Sequence, residues 1–150
     1  FYINTDVTYT FTGSAVTGTY GTATAININD ITWTQEEIDA DPSDAPEGAT
    51  TSTVKSEGLK NKYKKQFNAQ AAGLLAKTDW YVIKAADVDS YSVPDNIKTY
   101  RAAVRTKVNS METQIDGCSD VDALIILLTY TKDSEGVVSR PLGEFPDEVV

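Results

Sequence analysis

The sequence predicts an α+β protein: a small antiparallel β-meander at the N-terminus, packed with an α-helical hairpin and followed by an extended C-terminal segment. Three observations predict this. Within residues 5–33, β-branched and aromatic side chains alternate with polar ones at a period of two in separate runs. From about residue 57 onward, apolar residues recur every three to four positions instead. Between them lies Asp41–Gly58, DPSDAPEGATTSTVKSEG, whose two prolines, two glycines and small polar residues mark a loop or linker. The expected division is a Thr-rich meander over 1–40, a linker over 41–56, a helical hairpin over 57–116, and a C-terminal part over 117–150.

The meander is expected to have two or three strands over residues 5–33: Val7, Tyr9 and Phe11 alternate with Thr8, Thr10 and Thr12 in one, and Ala23, Ala25, Ile26 and Ile28, the last two alternating with Asn27 and Asn29, suggest a second. Thirteen threonines fall within the first 53 residues, which is strand chemistry. The Thr-Gly-Ser and Thr-Gly-Thr-Tyr-Gly segments between the runs are turn signals. A short helical or irregular turn is expected at Gln35–Ala40. So small a sheet is marginal alone and must pack on the rest of the chain or on another subunit.

Leu59, Tyr63, Phe67, Ala71 and Leu74/Leu75 form the apolar stripe of a first helix that ends near Lys77, with Thr78 and Asp79 as its stop and a loop over Asp79–Val93. Pro94 opens a second helix, with Asp95 suited to its positive end. Its stripe is Ile97, Tyr100, Val104, Val108, Met111 and Ile115, and Asp116-Gly117 ends it. Two amphipathic helices joined by the 16 residues Thr78–Val93 make a hairpin. Ala123–Thr131, ALIILLTYT, fits a buried strand or a short helix, with its β-branched residues favouring a strand. Arg140–Val150, with two prolines, reads as an extended tail.

Composition excludes several chemistries. There is no histidine, hence no His-based acid/base catalysis and no His metal site. The one cysteine, Cys118, allows no internal disulfide and reads as an inert small residue near a helix end. No phosphate loop or dinucleotide fingerprint is present. The longest apolar run, Ala123–Leu128, is too short to span a bilayer. The net charge of −9 argues against nucleic acid as partner. That charge is segmented: residues 1–54 carry −8 with no Lys or Arg, residues 55–107 carry +6, and residues 108–150 carry −7. The basic middle either neutralises the acidic ends within the fold or a neighbouring copy, or docks on an acidic partner. Glu36, Glu37, Asp39, Asp41 and Asp44 lack the spacing of a calcium loop and read as solvated acidity. The pairs Asp87/Asp89 and Asp120/Asp122 have nothing beside them to suggest glycosidase carboxylates. No catalytic residue, metal ligand or cofactor is assigned, and the chain is not expected to be an enzyme.

The residues around the hairpin turn carry the strongest signal. Leu74-Leu75-Ala76-Lys77-Thr78-Asp79-Trp80 closes the first helix, and Tyr100-Arg101-Ala102-Ala103-Val104-Arg105 lies within the second. Leu74 and Leu75 are expected to pack on Tyr100 and Val104. Trp80 is expected to plug the open end, which would make Trp80→Ala cost about 3 kcal/mol or more. Arg101 or Arg105 could clamp Asp79 or a helix-terminal carbonyl. In a second reading, Trp80 and the arginines touch a partner.

These residues resemble the helical-hairpin domain of phage tail assembly chaperones and tail-fibre assembly proteins. The family pattern is a helix ending in Leu-Leu-x-x-Thr-Asp-Trp, a short loop, and a helix with Tyr-Arg-x-x-Leu-Arg, where this chain has Val104 in place of Leu. Ile31-Thr32-Trp33-Thr34-Gln35-Glu36-Glu37-Ile38 also looks like segments upstream of that domain in tail-associated phage proteins. The resemblance covers about residues 57–110. It implies a phage-tail context, within which the Thr-rich β arm, the C-terminal tail and the marginal sheet, all outside the shared domain, favour a non-enzymatic tail subunit, associated with a fibre or baseplate and acting by protein–protein assembly. The alternative is a tail-fibre assembly chaperone absent from the mature particle. The implied partners are other tail proteins or a second copy of the chain, with no nucleic acid and no membrane. The implied location is the virion tail, or the host cytoplasm during assembly.

Overall fold

The computed structural model describes residues 1–4, 6–40 and 44–149. Thr5, Val150 and the 41–43 part of the expected linker, which includes Asp41 of the acidic cluster, lie outside the described residues. The chain is α+β and forms two compact units, Phe1–Leu59 and Lys60–Val150.

The first unit holds the strands β1 (Tyr2–Ile3), β2 (Val7–Phe11), β3 (Val16–Tyr20), β4 (Thr24–Ala25), β5 (Ile31–Thr32) and β6 (Val54–Ser56), with helix α1 (Gln35–Ala40) between the last two. The first four nest as one antiparallel ribbon: β2 pairs with β3, and β1 with β4 beyond them. Two expectations change: Thr17–Tyr20, read as part of a turn, lies in β3, because its threonines and Tyr20 pair with residues of β2, and the strand expected over Ile26–Asn29 stops at Ala25. Gly21 N–H donates to Asp6 C=O at 2.7 Å and bridges the two ladders. The ribbon turns at Gly13-Ser14, where Gly13 takes φ +85°, a first central position that favours glycine. Strands β5 and β6 form a second pair, and Trp33 N–H donates to Thr53 C=O at 3.1 Å. The expected linker therefore ends in a strand. Gly58 makes this possible, because a Cβ there would stand 2.2 Å from the Asn29 carbonyl carbon. Its N–H donates to Asp30 Oδ1 at 2.7 Å.

The second unit is helical: α2 (Leu59–Ala76, whose first residue closes the first unit), α3 (Asp79–Asp87), α4 (Asp95–Asp116) and α5 (Val121–Leu128), then the short pair β7 (Thr131–Lys132) and β8 (Val138–Ser139). Helices α2 and α4 run antiparallel. Lys64 near the start of α2 reaches Asp116 at the end of α4 at 2.8 Å, and Arg101 near the start of α4 reaches the Leu75 carbonyl near the end of α2. The whole predicted α4 stripe is buried, Val104, Met111 and Ile115 completely, and so are Phe67 and Ala71 of α2. This is the expected hairpin.

Three expectations change here. The segment expected as a loop over Asp79–Val93 contains α3, because the residues that stop α2 also start the next helix. The apolar run at Ala123 is a helix, not the favoured strand. Asp120 caps it, its Oδ1 accepting from Ala123 N–H at 2.8 Å, and Val121 and Leu124 face the core at helical spacing. The tail is pinned rather than free. Leu142 is fully buried and its N–H donates to Leu127 C=O at 3.1 Å, while Lys107 donates to the Leu142 carbonyl at 2.7 Å. Arg140 lies 5.3 Å from the Phe67 ring and 4.9 Å from the Tyr130 ring, ion-paired to Glu144 at 2.8 Å.

Candidate interaction surfaces

The hairpin-turn residues divide into an interior set and an exposed set. Helix α2 ends with carbonyls that have no partner of their own. The Thr78 N–H and hydroxyl donate to the Leu75 carbonyl at 3.0 and 2.9 Å. Arg101, 8% exposed, brings its Nη1 to 2.8 Å from that same carbonyl and 2.7 Å from Thr78 Oγ1. It also lies 2.8 Å from Asp79 Oδ1. A cation thus sits at the negative end of α2, and Asp79 sits at the positive end of α3. One guanidinium fastens α4 to both.

Leu74 and Leu75 are half-buried, whereas Tyr100 and Val104 are buried. The Tyr100 hydroxyl is enclosed without a hydrogen-bond partner. Trp80 does not plug the hairpin: it is 61% exposed, beside Ile83 at 65%. Placing Asp79 at the first turn of α3 turns the next residue outward, and the Lys84 ammonium rests 5.3 Å from the Trp80 ring and 4.4 Å from that of Tyr91. Arg105 is also exposed and lines an open cleft of about 290 Å³ with Val82, Val93, Lys98 and Arg101. Of the residues considered for partner contact, Trp80 and Arg105 are therefore at the surface, and Arg101 is structural.

The basic helix spends much of its charge within the second unit. Lys60 donates to the Asp116 carbonyl at 3.0 Å, Lys64 pairs with the Asp116 side chain, and Lys77 pairs with Glu148. Asn68 adds a bond to Glu112 at 2.5 Å.

In the first unit, Thr34 and Glu37 form a reciprocal capping box on α1. The Glu37 carboxylate accepts from Thr34 N–H at 3.0 Å, and Thr34 Oγ1 accepts from Glu37 N–H at 3.2 Å. The Thr-x-x-Glu spacing is the sequence signature of this cap. Lys55, 2.6 Å from Glu37 Oε1 and 4.6 Å from the Trp33 ring centre, joins β6 to the helix. Its hydrogen bond, with that of Thr34 N–H, lowers the Glu37 pKa to about 2. Glu36 and Asp39 of the acidic cluster share α1 with Glu37, and no group of acidic residues or cysteine among the described residues could hold a metal ion. Cys118 is buried, its thiol pushed up by desolvation, as suits an inert side chain. The Asp120 carboxylate is committed to its cap, and the Ala123 N–H holds its pKa down.

The ribbon presents the clearest surface. Opposite residues of an antiparallel pair share a face. The register Val7↔Tyr20, Tyr9↔Gly18, Phe11↔Val16 therefore collects all the large apolar side chains of β2 and β3 on one side. Thr8↔Thr19 and Thr10↔Thr17 make the other. On the apolar side Tyr9, Phe11, Val16 and Tyr20 are 67–73% exposed. Period-two alternation predicts the β2 half of this face, whereas the β3 half lies largely in a segment whose glycines read as a turn.

Comparison with protein families, with curated proteins and with solved structures finds no match. No helix among the described residues is long and apolar enough to cross a membrane.

Proposed function

We propose that this chain is a non-enzymatic assembly subunit of a bacteriophage tail, associated with a fibre or baseplate and acting through protein–protein contact. The observation that carries the reading is the ribbon's exposed face of Tyr9, Phe11, Val16 and Tyr20. A monomer has no internal use for a contiguous apolar strand face in water, and such faces mark association sites. The resemblance of residues 57–110 supplies the phage-tail context, and exposed Trp80, Ile83 and Arg105 offer a second contact surface on the hairpin unit. Partner recognition would then use apolar burial at the ribbon and charge at the hairpin.

A tail-fibre assembly chaperone that leaves before maturation is the second reading. It is favoured by Leu74-Leu75-x-x-Thr78-Asp79-Trp80 followed by Tyr100-Arg101, the pattern shared with that family. Mass spectrometry of purified particles of the encoding phage tests both. A fixed copy number per particle supports the structural subunit. Absence from particles with abundance in the infected lysate, bound to fibre protein, supports the chaperone. Absence from particles and from fibre complexes rejects both.

A further inference from the structure

We propose that two copies of this chain associate through the apolar faces of their N-terminal ribbons, packed face to face as a small four-stranded sandwich. The inference rests on reading the ribbon as an assembly surface, and it commits that surface to a second copy of the same chain.

Shape is the first reason. The Tyr9 ring lies across Gly18, 3.4 Å from where a Cβ would stand, so one aromatic covers the gap left by the missing side chain. The face is therefore continuous from Val7 and Tyr20 at one end to Phe11 and Val16 at the other. Two such faces can approach to about the 10 Å spacing of packed sheets.

Charge is the second reason. From Val7 to Asn29 no side chain is charged, and the stretch contains no proline. A partner selected by charge has nothing to read there, whereas an identical copy brings no charged side chain onto the face itself. A two-fold contact needs only a self-complementary patch, and a neutral face of alternating large and small residues is one.

Area is the third reason. Three aromatics of roughly 200 Å² each, about 70% exposed, together with Val16, offer about 500 Å² per copy. A pair then buries about 1,000 Å², the lower bound for a specific interface, which implies a dissociation constant on the order of micromolar. Pairing of strand edges alone would leave these aromatics in water, and the threonine face has no comparable surface to bury.

The test is sedimentation equilibrium of the full chain from about 1 to about 100 µM, a range that brackets this affinity. The wild type is expected to pass from monomer to dimer. Phe11→Lys and Tyr20→Lys, on the apolar face, should each raise the dissociation constant at least about tenfold. Thr10→Lys, on the opposite face of the same ribbon, should leave it within about twofold. Because a lysine could unravel the ribbon, isotope-filtered NOE spectra of mixed labelled and unlabelled wild-type chains provide a readout without substitution. Contacts between Tyr or Phe rings of one copy and Val7 or Val16 methyls of the other are expected. A monomeric wild type, dimers indifferent to Phe11→Lys and Tyr20→Lys, or equal sensitivity to Thr10→Lys overturns the inference. A monomer would leave the tail-subunit reading to the particle analysis. A ribbon-mediated dimer absent from both particles and fibre complexes would reject the tail reading and leave this inference standing.

Discussion

Replacing Arg101 with alanine should loosen the junction of α2, α3 and α4. The guanidinium is 8% exposed and reaches the Leu75 carbonyl, Thr78 Oγ1 and Asp79 from one nitrogen. Hydrogen bonds to a charged group contribute about 1.5–3 kcal/mol each. The two hydrogen bonds and the ion pair cannot be added, for two reasons. The Leu75 carbonyl keeps the Thr78 N–H and hydroxyl as donors. The Asp79 side chain is 52% exposed, so water replaces its partner and the ion pair contributes at most about 1 kcal/mol. The expected loss is about 3 kcal/mol, which in a chain of this size lowers the melting temperature by roughly 10 °C. Thermal unfolding followed by circular dichroism at 222 nm measures it. Arg101→Lys should recover part of the loss, since it restores the charge but not the planar fork. A fall under about 2 °C for Arg101→Ala would show that the clamp does not hold the helices together, and the assignment of Arg101 to structure rather than partner contact would fail.

Other perturbations separate interior from surface. Trp80→Ala should change stability by less than about 1 kcal/mol, because the ring is 61% exposed; a loss near 3 kcal/mol would restore it to the core. Leu142→Ala should cost about 3–5 kcal/mol in chemical denaturation, because this side chain of the C-terminal segment is fully buried; a cost below about 1 kcal/mol would show that the segment is not pinned. Gly58→Ala should separate β5 from β6, since its Cβ would collide with the Asn29 carbonyl carbon; unchanged amide protection at Trp33 would refute the close approach. The Glu37 carboxyl should titrate near pH 2 rather than 4.5 by carbon-detected NMR. Its pKa is lowered on folding, so the stability it adds is complete above about 4.5 and is lost as the pH falls toward 2. A midpoint above 4 would mean that the Lys55 and Thr34 contacts do not form in solution.

The hairpin was legible because its information is periodic. Ile97, Tyr100, Val104, Val108, Met111 and Ile115 can share a buried side only on a helix, and all six are buried in α4. Other segments are locally ambiguous. Thr78-Asp79 is at once a stop for one helix and a start for the next. Ser119-Asp120 before the apolar run is a cap signal that outweighs the strand preference of its β-branched residues. Thr17-Gly18-Thr19-Tyr20-Gly21 has the composition of a turn, yet most of it forms β3. A large aromatic at a helix end suits the core, but the start of α3 points Trp80 to water.

By itself the sequence determined the α+β class, the helix pair and its apolar stripes, the first strand of the threonine-rich ribbon, and the lack of any histidine. These follow from side-chain periodicity and composition, which act over a few residues. The tertiary structure alone decided that Arg101 faces inward while Arg105 faces out, that β6 returns to β5, that Leu142 is core, and that the aromatic side of the ribbon stays uncovered. Each depends on which distant segment arrives at a given place, as Gly58 does at Asn29 and the Leu75 carbonyl does at Arg101. A local pattern shows that a residue can be buried or paired, but the partner that buries or pairs it is chosen by the packing of the chain.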